Sequence, residues 1–288
     1  MQLAERLGAG AGTEIVCCDS LQVYRGMDVG TGKPSASERA RVPHHMLDLV
    51  SPDQPFDAAR WAALARQAAA DIAARGRTPL VVGGTGLYFR ALTRGLFQAP
   101  PPDPVIRGRH RQEVTEQGPA ALHARLAAVD AESAARLPAA DVVRVSRALE
   151  VFEQTGVTVG ELRRRAAAPS PGPPPFVVVL DPPLSELRAR IDARVDAMMA
   201  AGFLDEVRAL RAAGYGPPHK PLRSLGYREL GLHIDGALSL VEAVSATKAA
   251  TASYARRQRT WFRKEDPALR IVDRPDAAAV AAACARSG

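Results

Sequence analysis

Two short apolar segments constrain the fold of this chain more than any other feature. Residues 14–18 run directly into an aspartate, and residues 78–82 run into a pair of glycines. Their length and branched side chains are typical of strands that are buried on both faces of a parallel sheet. Residues 58–75, which lie between them, are rich in alanine and have helical spacing. This strand–helix–strand order predicts an α/β fold in which helices flank a parallel sheet.

A helical region interrupts this α/β pattern. From residue 104 to about residue 165 the spacing is helical and no strand is predicted, and a proline-rich linker follows at 169–175. The α/β pattern then resumes, with a strand at 176–180, helices at 184–201, 203–213 and 238–264, and a short strand at 269–272. We therefore predict an α/β core of residues 1–102 and 176–288 and a helical insertion domain of residues 103–175.

The start of the chain lacks the element that normally opens such a fold. Residues 3–7 have the pattern of the last turns of a helix, with Gly8 as the C-cap. A helix that leads into a parallel sheet normally follows a strand. We therefore expect the opening strand and its loop to be missing, as in a truncated or wrongly started sequence.

Composition and charge limit the kind of protein. A hydrophobic content of 47% with 24% charged residues is typical of a globular protein with a real core. The net charge of +7 favours a polyanionic partner. The three cysteines fit neither a disulfide framework nor a metal site, which indicates a reducing compartment. No apolar run is long enough for a membrane span and no secretory leader is present, so we predict a cytoplasmic monomer with no membrane partner.

The most cationic part of the chain is the end of the predicted helix at 238–264. At roughly 100° per residue, one broad side carries Arg256, Arg257, Arg259, Thr260, Arg263 and Lys264. The other side carries Tyr254, Gln258, Trp261 and Phe262. Such a cationic face is suited to the phosphates of a nucleic acid. Cations near a helix C-terminus also stabilise the helix dipole, so charge alone leaves both interpretations open.

Three polar residues are candidates for chemistry. Asp19 follows a predicted strand, where open α/β sheets bind ligands, and is interpreted either as a base or as a turn former. Thr85 lies in a glycine-rich turn after the second strand and is interpreted as an anion ligand, as a helix cap or as part of a tight turn. Arg223 lies on a loop, where an arginine can bind phosphate through two hydrogen bonds.

Two other segments match binding motifs only in part. The segment from Gly30 to Lys33 resembles the end of a P-loop, but Met27 stands where the motif needs a glycine. Pro34 stands where it needs a hydroxyl, and a proline supplies no oxygen to a magnesium ion. The pair His44 and His45 has no ligand residues nearby, so we interpret it as structural.

Taken together, these segments resemble the bacterial tRNA dimethylallyltransferases. The strongest matches are DSLQVYRGMD (19–28), GTGKP (30–34), VPHH (42–45), VGGTGLY (82–88), GFLDEV (202–207), GYR (226–228) and RQRTWFR (257–263). DPVIR (103–107) and RVSRALEV (144–151) match less closely. The resemblance covers residues 1 to about 264. It implies a P-loop NTPase-like parallel sheet whose first strand and P-loop are absent from this sequence, with a helical insertion domain.

The resemblance also implies a reaction and its partners. A dimethylallyl group moves from dimethylallyl diphosphate to the N6 amine of the adenosine 3′-adjacent to the anticodon in tRNA. Asp19 corresponds to the base that engages that amine, Thr85 lies in the same site, and Arg223 resembles the arginine that steadies the departing diphosphate. The implied cofactor is Mg²⁺, whose P-loop ligand is absent from this sequence. Because the base must leave its stack to react, base flipping is expected.

The same resemblance implies contacts with the tRNA anticodon arm. They fall on Asp19, Ser20, Leu21, Gln22, Thr85, Arg107, Val143, Arg144 and Arg147, and on the helix residues Arg256, Arg257, Arg259 and Arg263. Val142 and Val143 replace the proline and glutamine that are usual in the family, which weakens the predicted contact there.

Three alternatives remain. One is an adenylate isopentenyltransferase acting on a free nucleotide, which has no use for a cationic helix and a helical insertion. Another is a catalytically dead tRNA-binding protein, which the missing P-loop favours, because a chain without that loop is expected to be nearly inactive. A nucleotide kinase is disfavoured because the sequence lacks a Walker A motif and a lid arginine cluster.

Overall fold

The computed structural model describes residues 4, 12–97, 99–165, 175–265, 269–271, 278 and 280–282. Most of the predicted helix at 3–7, its C-cap Gly8 and most of the proline-rich linker lie outside these residues. The chain divides into two compact units. The first unit comprises Met1–Thr93 and Pro173–Gly288, and the second comprises Arg94–Gly172.

A parallel sheet forms the centre of the first unit. Strand β1 (Thr13–Cys18) lies between β2 (His44–His45) and β3 (Thr78–Gly83) and pairs in parallel with both. All six residues of β1 are buried, as predicted for a central strand. Val81 and Val82 of β3 are 38% and 48% exposed. The predicted burial of this second strand on both faces is therefore wrong, because β3 lies at an edge of the described sheet.

One large buried aromatic residue joins the central strand of this sheet to the neighbouring helices. The helices here are α1 (Ala36–Arg41), α2 (Ala58–Ala74) and α3 (Gly86–Thr93). Trp61 of α2 is fully buried, and its indole N–H donates to the carbonyl of Cys17 in β1 at 3.2 Å. Its ring stacks on Tyr88 of α3, with ring centroids 4.8 Å apart. The alanine-rich pattern of α2 lets the helix lie close to the strand, and the tryptophan joins α2 and α3.

The second unit is helical, as predicted from its pattern. Its helices are α4 (Pro104–Gln117), α5 (Pro119–Val129), α6 (Ala131–Arg136), α7 (Val142–Thr155) and α8 (Val159–Arg165). Their apolar faces form one core in which Leu122, Leu126, Val145 and Leu149 are at most 1% exposed. This core gives the second unit a hydrophobic centre of its own.

The rest of the first unit contains the predicted elements in order and, between residues 220 and 234, two short helices that were not predicted. Its elements are β4 (Val178–Leu180), α9 (Leu184–Ala200), α10 (Phe203–Ala212), a 3₁₀ helix (Lys220–Arg223), α11 (Tyr227–Ile234), α12 (Leu240–Phe262) and β5 (Leu269–Ile271). Strands β4 and β5 pair in parallel. Ser239 and Glu242 form a capping box that starts the long helix α12. Among the described residues, no helix combines the length and the apolar character that a membrane span requires.

Candidate active site and nucleic-acid interface

Asp19 forms a tight turn directly after β1. Its Oδ1 atom accepts the backbone N–H of Leu21 at 2.7 Å and that of Gln22 at 3.2 Å. This arrangement is an Asx-type turn, so the structure confirms the turn-forming interpretation of Asp19. The other oxygen, Oδ2, accepts no hydrogen bond from the described residues. One half of the carboxylate thus fixes the side chain, and the other half is free to accept a proton or a hydrogen bond.

Thr85 joins the turn after β3 to the turn after β1. Its hydroxyl oxygen accepts the backbone N–H of Ser20 at 3.1 Å, and its own N–H donates to the carbonyl of Cys18 at 3.3 Å. The predicted helix cap is only partly correct. The carbonyl of Thr85 accepts the N–H of Phe89 in the first turn of α3, but its hydroxyl serves Ser20. The structure therefore brings together two segments that lie far apart in the sequence.

The inner face of α12 holds the glycine-rich turn in place. The carboxamide of Gln258 donates to the carbonyl of Gly84 at 2.9 Å. A Cβ atom at Gly84 would lie 2.1 Å from that carboxamide nitrogen, and one at Gly86 would lie 2.4 Å from the indole nitrogen of Trp261. Glycine is needed at both positions because α12 approaches the backbone of the turn so closely.

The charge of Asp19 acts on three tyrosines that belong to different helices. They are Tyr88 of α3, Tyr227 of α11 and Tyr254 of α12, and burial is the main cause that raises the pKa of each. The negative charge of Asp19 also raises the pKa of all three, as a smaller cause than burial. Aromatic side chains near a carboxylate are suited to binding a flat base and an allylic chain.

The lysine of the P-loop-like segment has a structural role. The ammonium of Lys33 lies 2.5 Å from Asp28, 2.6 Å from Asp48 and 2.9 Å from the carbonyl of Tyr24. Only 1% of its side chain is exposed. Lys33 is therefore a buried, fully paired cation, which agrees with the sequence-based conclusion that this segment is not a P-loop.

Arg223 forms no hydrogen bond or ion pair with the turn of Asp19 within the described residues. It is exposed at the end of the 3₁₀ helix and lines a cavity of about 120 Å³ together with Arg211, Arg228 and Asp235. That cavity is lined by neither Asp19 nor Thr85 among the described residues. Its predicted role at the diphosphate stays a prediction.

Arg194 is a candidate that the sequence analysis missed. This exposed residue of α9 lines a cavity of about 510 Å³ together with Lys33, Ser35 and Arg39. A Cβ atom at Gly32 would lie 2.0 Å from the Nη2 atom of Arg194, so the guanidinium lies directly over this loop. No acidic partner for Arg194 occurs among the described residues. The sequence carried no signal for it, because only the packing of α9 against the loop brings this arginine to a cavity.

In the second unit, Arg107 and Arg147 bind the same carboxylate. Both oxygens of Glu150 lie 3.0 Å from Arg107 nitrogens, and one lies 2.6 Å from Arg147. Burial alone would raise the pKa of Glu150, which is fully buried, but the hydrogen bonds from both arginines hold it below its usual value. The two arginines are thus fixed in orientation. Val143, in contrast, is 80% exposed, and the exposed Arg144 pairs with Asp141.

The cationic face of α12 is present with one exception. The exposed residues are Arg256, Arg257, Thr260, Arg263 and Lys264, as predicted. Arg259 differs, because its Nε atom forms an ion pair with Asp181 at 2.5 Å and only 19% of its side chain is exposed. The atoms of this pair are close but lack hydrogen-bond alignment. The predicted place of Arg259 on the exposed face is therefore wrong, since the end of strand β4 supplies a carboxylate beside it.

The family model and the relatives to which this chain is similar describe the same kind of enzyme. The family model described as IPP transferase matches residues 22–265. A tRNA dimethylallyltransferase of Anaeromyxobacter dehalogenans (strain 2CP-C) is 53% identical over 263 residues, which cover 91% of this chain and 86% of that protein.

Two solved structures resemble the whole chain. The tRNA isopentenylpyrophosphate transferase of Bacillus halodurans has a TM-score of 0.68 at 31% identity and covers 99% of this chain and 91% of its own. The Staphylococcus epidermidis enzyme of the same kind has a TM-score of 0.68 at 28% identity, covering 99% and 93%. The fold and the comparisons define an α/β prenyltransferase. The chain belongs to the IPP transferase family, the tRNA dimethylallyltransferases.

Proposed function

We propose that this chain transfers a dimethylallyl group from dimethylallyl diphosphate to the N6 amine of the adenosine 3′-adjacent to the anticodon in tRNA. The observation that carries the proposal is that the two oxygens of the Asp19 carboxylate differ in their hydrogen bonds. One oxygen is held by two backbone N–H groups, and the other accepts nothing from the described residues. This is the arrangement needed by a base that must meet an amine in a fixed orientation.

In the proposed reaction, a bond forms between N6 of adenosine and the first carbon of the allylic chain. The bond between that carbon and the diphosphate oxygen breaks, and its electron pair leaves with the diphosphate. The proton of the amine passes to the free oxygen of Asp19. An aromatic amine is a weak nucleophile, so a fixed acceptor for its proton lowers the barrier. The aromatic side chains near Asp19 suit an adenine that has left its stack.

The departing diphosphate needs positive charge. Arg194 supports this role through its place over Gly32 and its cavity of about 510 Å³. Arg223 is the other candidate, on the evidence of family resemblance. Cations that meet the leaving oxygens stabilise the charge that develops as the bond breaks.

The family also implies Mg²⁺ at the diphosphate. Within the described residues, no group of three or more His, Cys, Asp and Glu side chains is arranged to hold a metal ion. Mg²⁺ is commonly held by one or two protein oxygens together with substrate phosphates and water, so this finding bears only on a site built from the protein alone, and no step of the proposed reaction is routed through the ion.

For tRNA, we propose that the exposed cations of α12 bind backbone phosphates. Arg256, Arg257, Arg263 and Lys264 lie on the outer face of the helix whose inner face holds Gly84 through Gln258. In the second unit, Arg107, Val143, Arg144 and Arg147 remain the proposed contacts for the anticodon arm. The proposal is supported by the fact that the same helix carries these cations and holds the proposed catalytic turn through Gln258.

The proposal is tested by the transfer of radiolabelled dimethylallyl to an anticodon stem-loop. We expect label on a stem-loop with adenosine at the position next to the anticodon and none on a matched stem-loop with guanosine there. Label on free adenylate but not on the stem-loop would instead identify an enzyme of free nucleotides. Tight tRNA binding with no label on either acceptor would identify a binding protein.

A further inference from the structure

The loop that resembles a P-loop presents an anion site, and a carboxylate of the chain itself fills it. Three successive backbone N–H groups, of Asp28, Val29 and Gly30, point at the side chain of Glu206 on α10. Their distances to its oxygens are 2.8, 2.6 and 3.1 Å. Successive N–H groups of this kind form a nest that binds anions. The glycine-rich segment thus behaves as an anion loop, but its anion is Glu206.

A fourth donor completes the site. The hydroxyl of Tyr227, at the start of α11, donates to Glu206 at 2.6 Å. Tyr227 is 1% exposed, and burial raises its pKa, with the charge of Glu206 as the next cause. The tyrosine therefore stays protonated and donates. Four donors meet two oxygens, which is the full acceptor capacity of a carboxylate.

Close packing fixes the loop against the same two helices. A Cβ atom at Gly30 would lie 2.0 Å from the ring of Phe203 and 2.7 Å from the hydroxyl of Tyr227. The rings of Phe203 and Tyr227 meet edge to face, with centroids 5.0 Å apart. The loop backbone therefore lies directly on the aromatic pair, with no room for a side chain at Gly30.

The same loop reaches the proposed catalytic turn through Gln22. The carboxamide of Gln22 donates to the carbonyls of Thr31 at 3.2 Å and Gly32 at 3.3 Å. The backbone N–H of Gln22 donates to Oδ1 of Asp19. Glu206 is thus hydrogen-bonded to the loop, the loop to Gln22, and Gln22 to the carboxylate of Asp19.

We propose that Glu206 is a positioning residue for prenyl transfer, an inference that rests on the proposed function. By filling the nest, Glu206 holds the loop where Gln22 can fix the orientation of Asp19. A glutamine cannot replace it, because an amide has one acceptor oxygen and its NH₂ group would face backbone N–H donors. Glu206 touches neither substrate in this proposal and acts only through the loop.

The test compares Glu206→Gln with Asp19→Asn and with the double variant, using single-turnover transfer to a saturating stem-loop. We expect Glu206→Gln to lower the rate by about 10- to 100-fold, as small misplacements of catalytic groups do. The double variant should be no slower than Asp19→Asn alone, because both changes disable one unit. The affinity for the stem-loop should change by less than about twofold, since the cationic face of α12 is untouched.

Glu242→Gln is the matched control. Glu242 also accepts a backbone N–H, that of Ser239 at 2.8 Å, but lies in the capping box of α12. We expect its rate to match the unaltered protein. If Glu206→Gln does not fold, Tyr227→Phe removes one donor to the same carboxylate and should lower the rate to a smaller extent, again without further loss in the Asp19→Asn background.

Two results would overturn the inference while leaving the proposed function intact. One is a normal rate in Glu206→Gln. The other is a loss that multiplies with that of Asp19→Asn, which would mean that Glu206 acts independently of Asp19. If the unaltered protein transfers no label, the proposed function itself fails.

Discussion

The hydroxyl of Thr85 accepts the backbone N–H of Ser20 at 3.1 Å, and together with the bond from the Thr85 N–H to the carbonyl of Cys18 it joins the ends of two neighbouring parallel strands. It fixes the turn after β1, which contains Asp19, relative to the turn after β3, which α12 holds through Gln258. The proposed catalytic carboxylate is therefore positioned from three sides, by β3, by α12 and by the loop that binds Glu206.

Replacing Thr85 by valine should impair both stability and turnover. Valine keeps the shape but leaves the N–H of Ser20 without its acceptor, which we expect to cost about 1 kcal/mol in the free energy of unfolding. Turnover should fall more than stability alone explains, because the turn at Asp19 loses its side-chain link to the turn after β3. Thr85→Ser keeps the hydroxyl and is the control. Urea unfolding and single-turnover transfer measure the two effects, and equal turnover in both variants would contradict the expectation.

Replacing Asp19 by asparagine separates its two roles. The asparagine oxygen can still accept the N–H groups of Leu21 and Gln22, so the melting temperature should change little. The acceptor charge is lost, and turnover should fall by about 10²-fold or more, as is typical for a general base. A lowered melting point with near-normal turnover would show that Asp19 is only a turn former.

The exposed arginines of α12 should govern the salt dependence of tRNA binding. Arg256→Gln together with Arg263→Gln should lower the slope of log affinity against log salt by about one unit per lost phosphate contact. The matched control is Arg188→Gln with Arg190→Gln, which removes the same charge from exposed ion pairs of α9. An unchanged slope in the α12 variant would show that this face is only solvated. Arg259→Gln should instead reduce stability, because it leaves Asp181 with one fewer cation.

The two candidate arginines for the diphosphate can be told apart by kinetics. We expect Arg194→Gln to raise KM for dimethylallyl diphosphate and to lower kcat, because its guanidinium lies over the loop that binds Gln22. Arg223→Gln should have the smaller effect, since Arg223 lines a smaller cavity, of about 120 Å³, whose described lining does not include Asp19. Steady-state rates at varied diphosphate measure both. A larger loss of kcat and a larger rise of KM in Arg223→Gln would show that Arg223, and not Arg194, binds the diphosphate.

The second unit should lose stability in acid through Glu150. Hydrogen bonds from Arg107 and Arg147 hold the pKa of Glu150 below the unfolded value of 4.5. A lowered folded pKa adds stability that is fully present above pH 4.5 and is lost as the pH falls through the folded pKa. Glu150→Gln should therefore destabilise the unit near pH 7 and flatten its acid transition. Thermal unfolding between pH 7 and 3 tests this, with the exposed Glu161→Gln as the control.

Much of the fold follows from local pattern. The strand at 14–18, the alanine-rich helix before the second strand and the long helix near 238–264 all occur within two residues of their predicted bounds. These predictions held because hydrophobic periodicity and branched side chains are local properties that packing here reinforces. Burial of β3 was not predictable in this way, since it depends on which neighbours a strand acquires.

The candidate site, too, has features that the sequence predicts and contacts that only the folded structure shows. The sequence by itself determined the residue types at the strand ends, the cationic face of α12 and the failure of the segment from Gly30 to Lys33 as a P-loop. Only the tertiary structure decided that Thr85 serves Ser20, that Arg259 pairs with Asp181 and that Glu206 fills the nest at Gly30. Each of these contacts joins residues at least 65 positions apart. Such contacts depend on how the elements pack, because residues far apart in the sequence become neighbours only in the folded chain. Local spacing does not show which residues these will be.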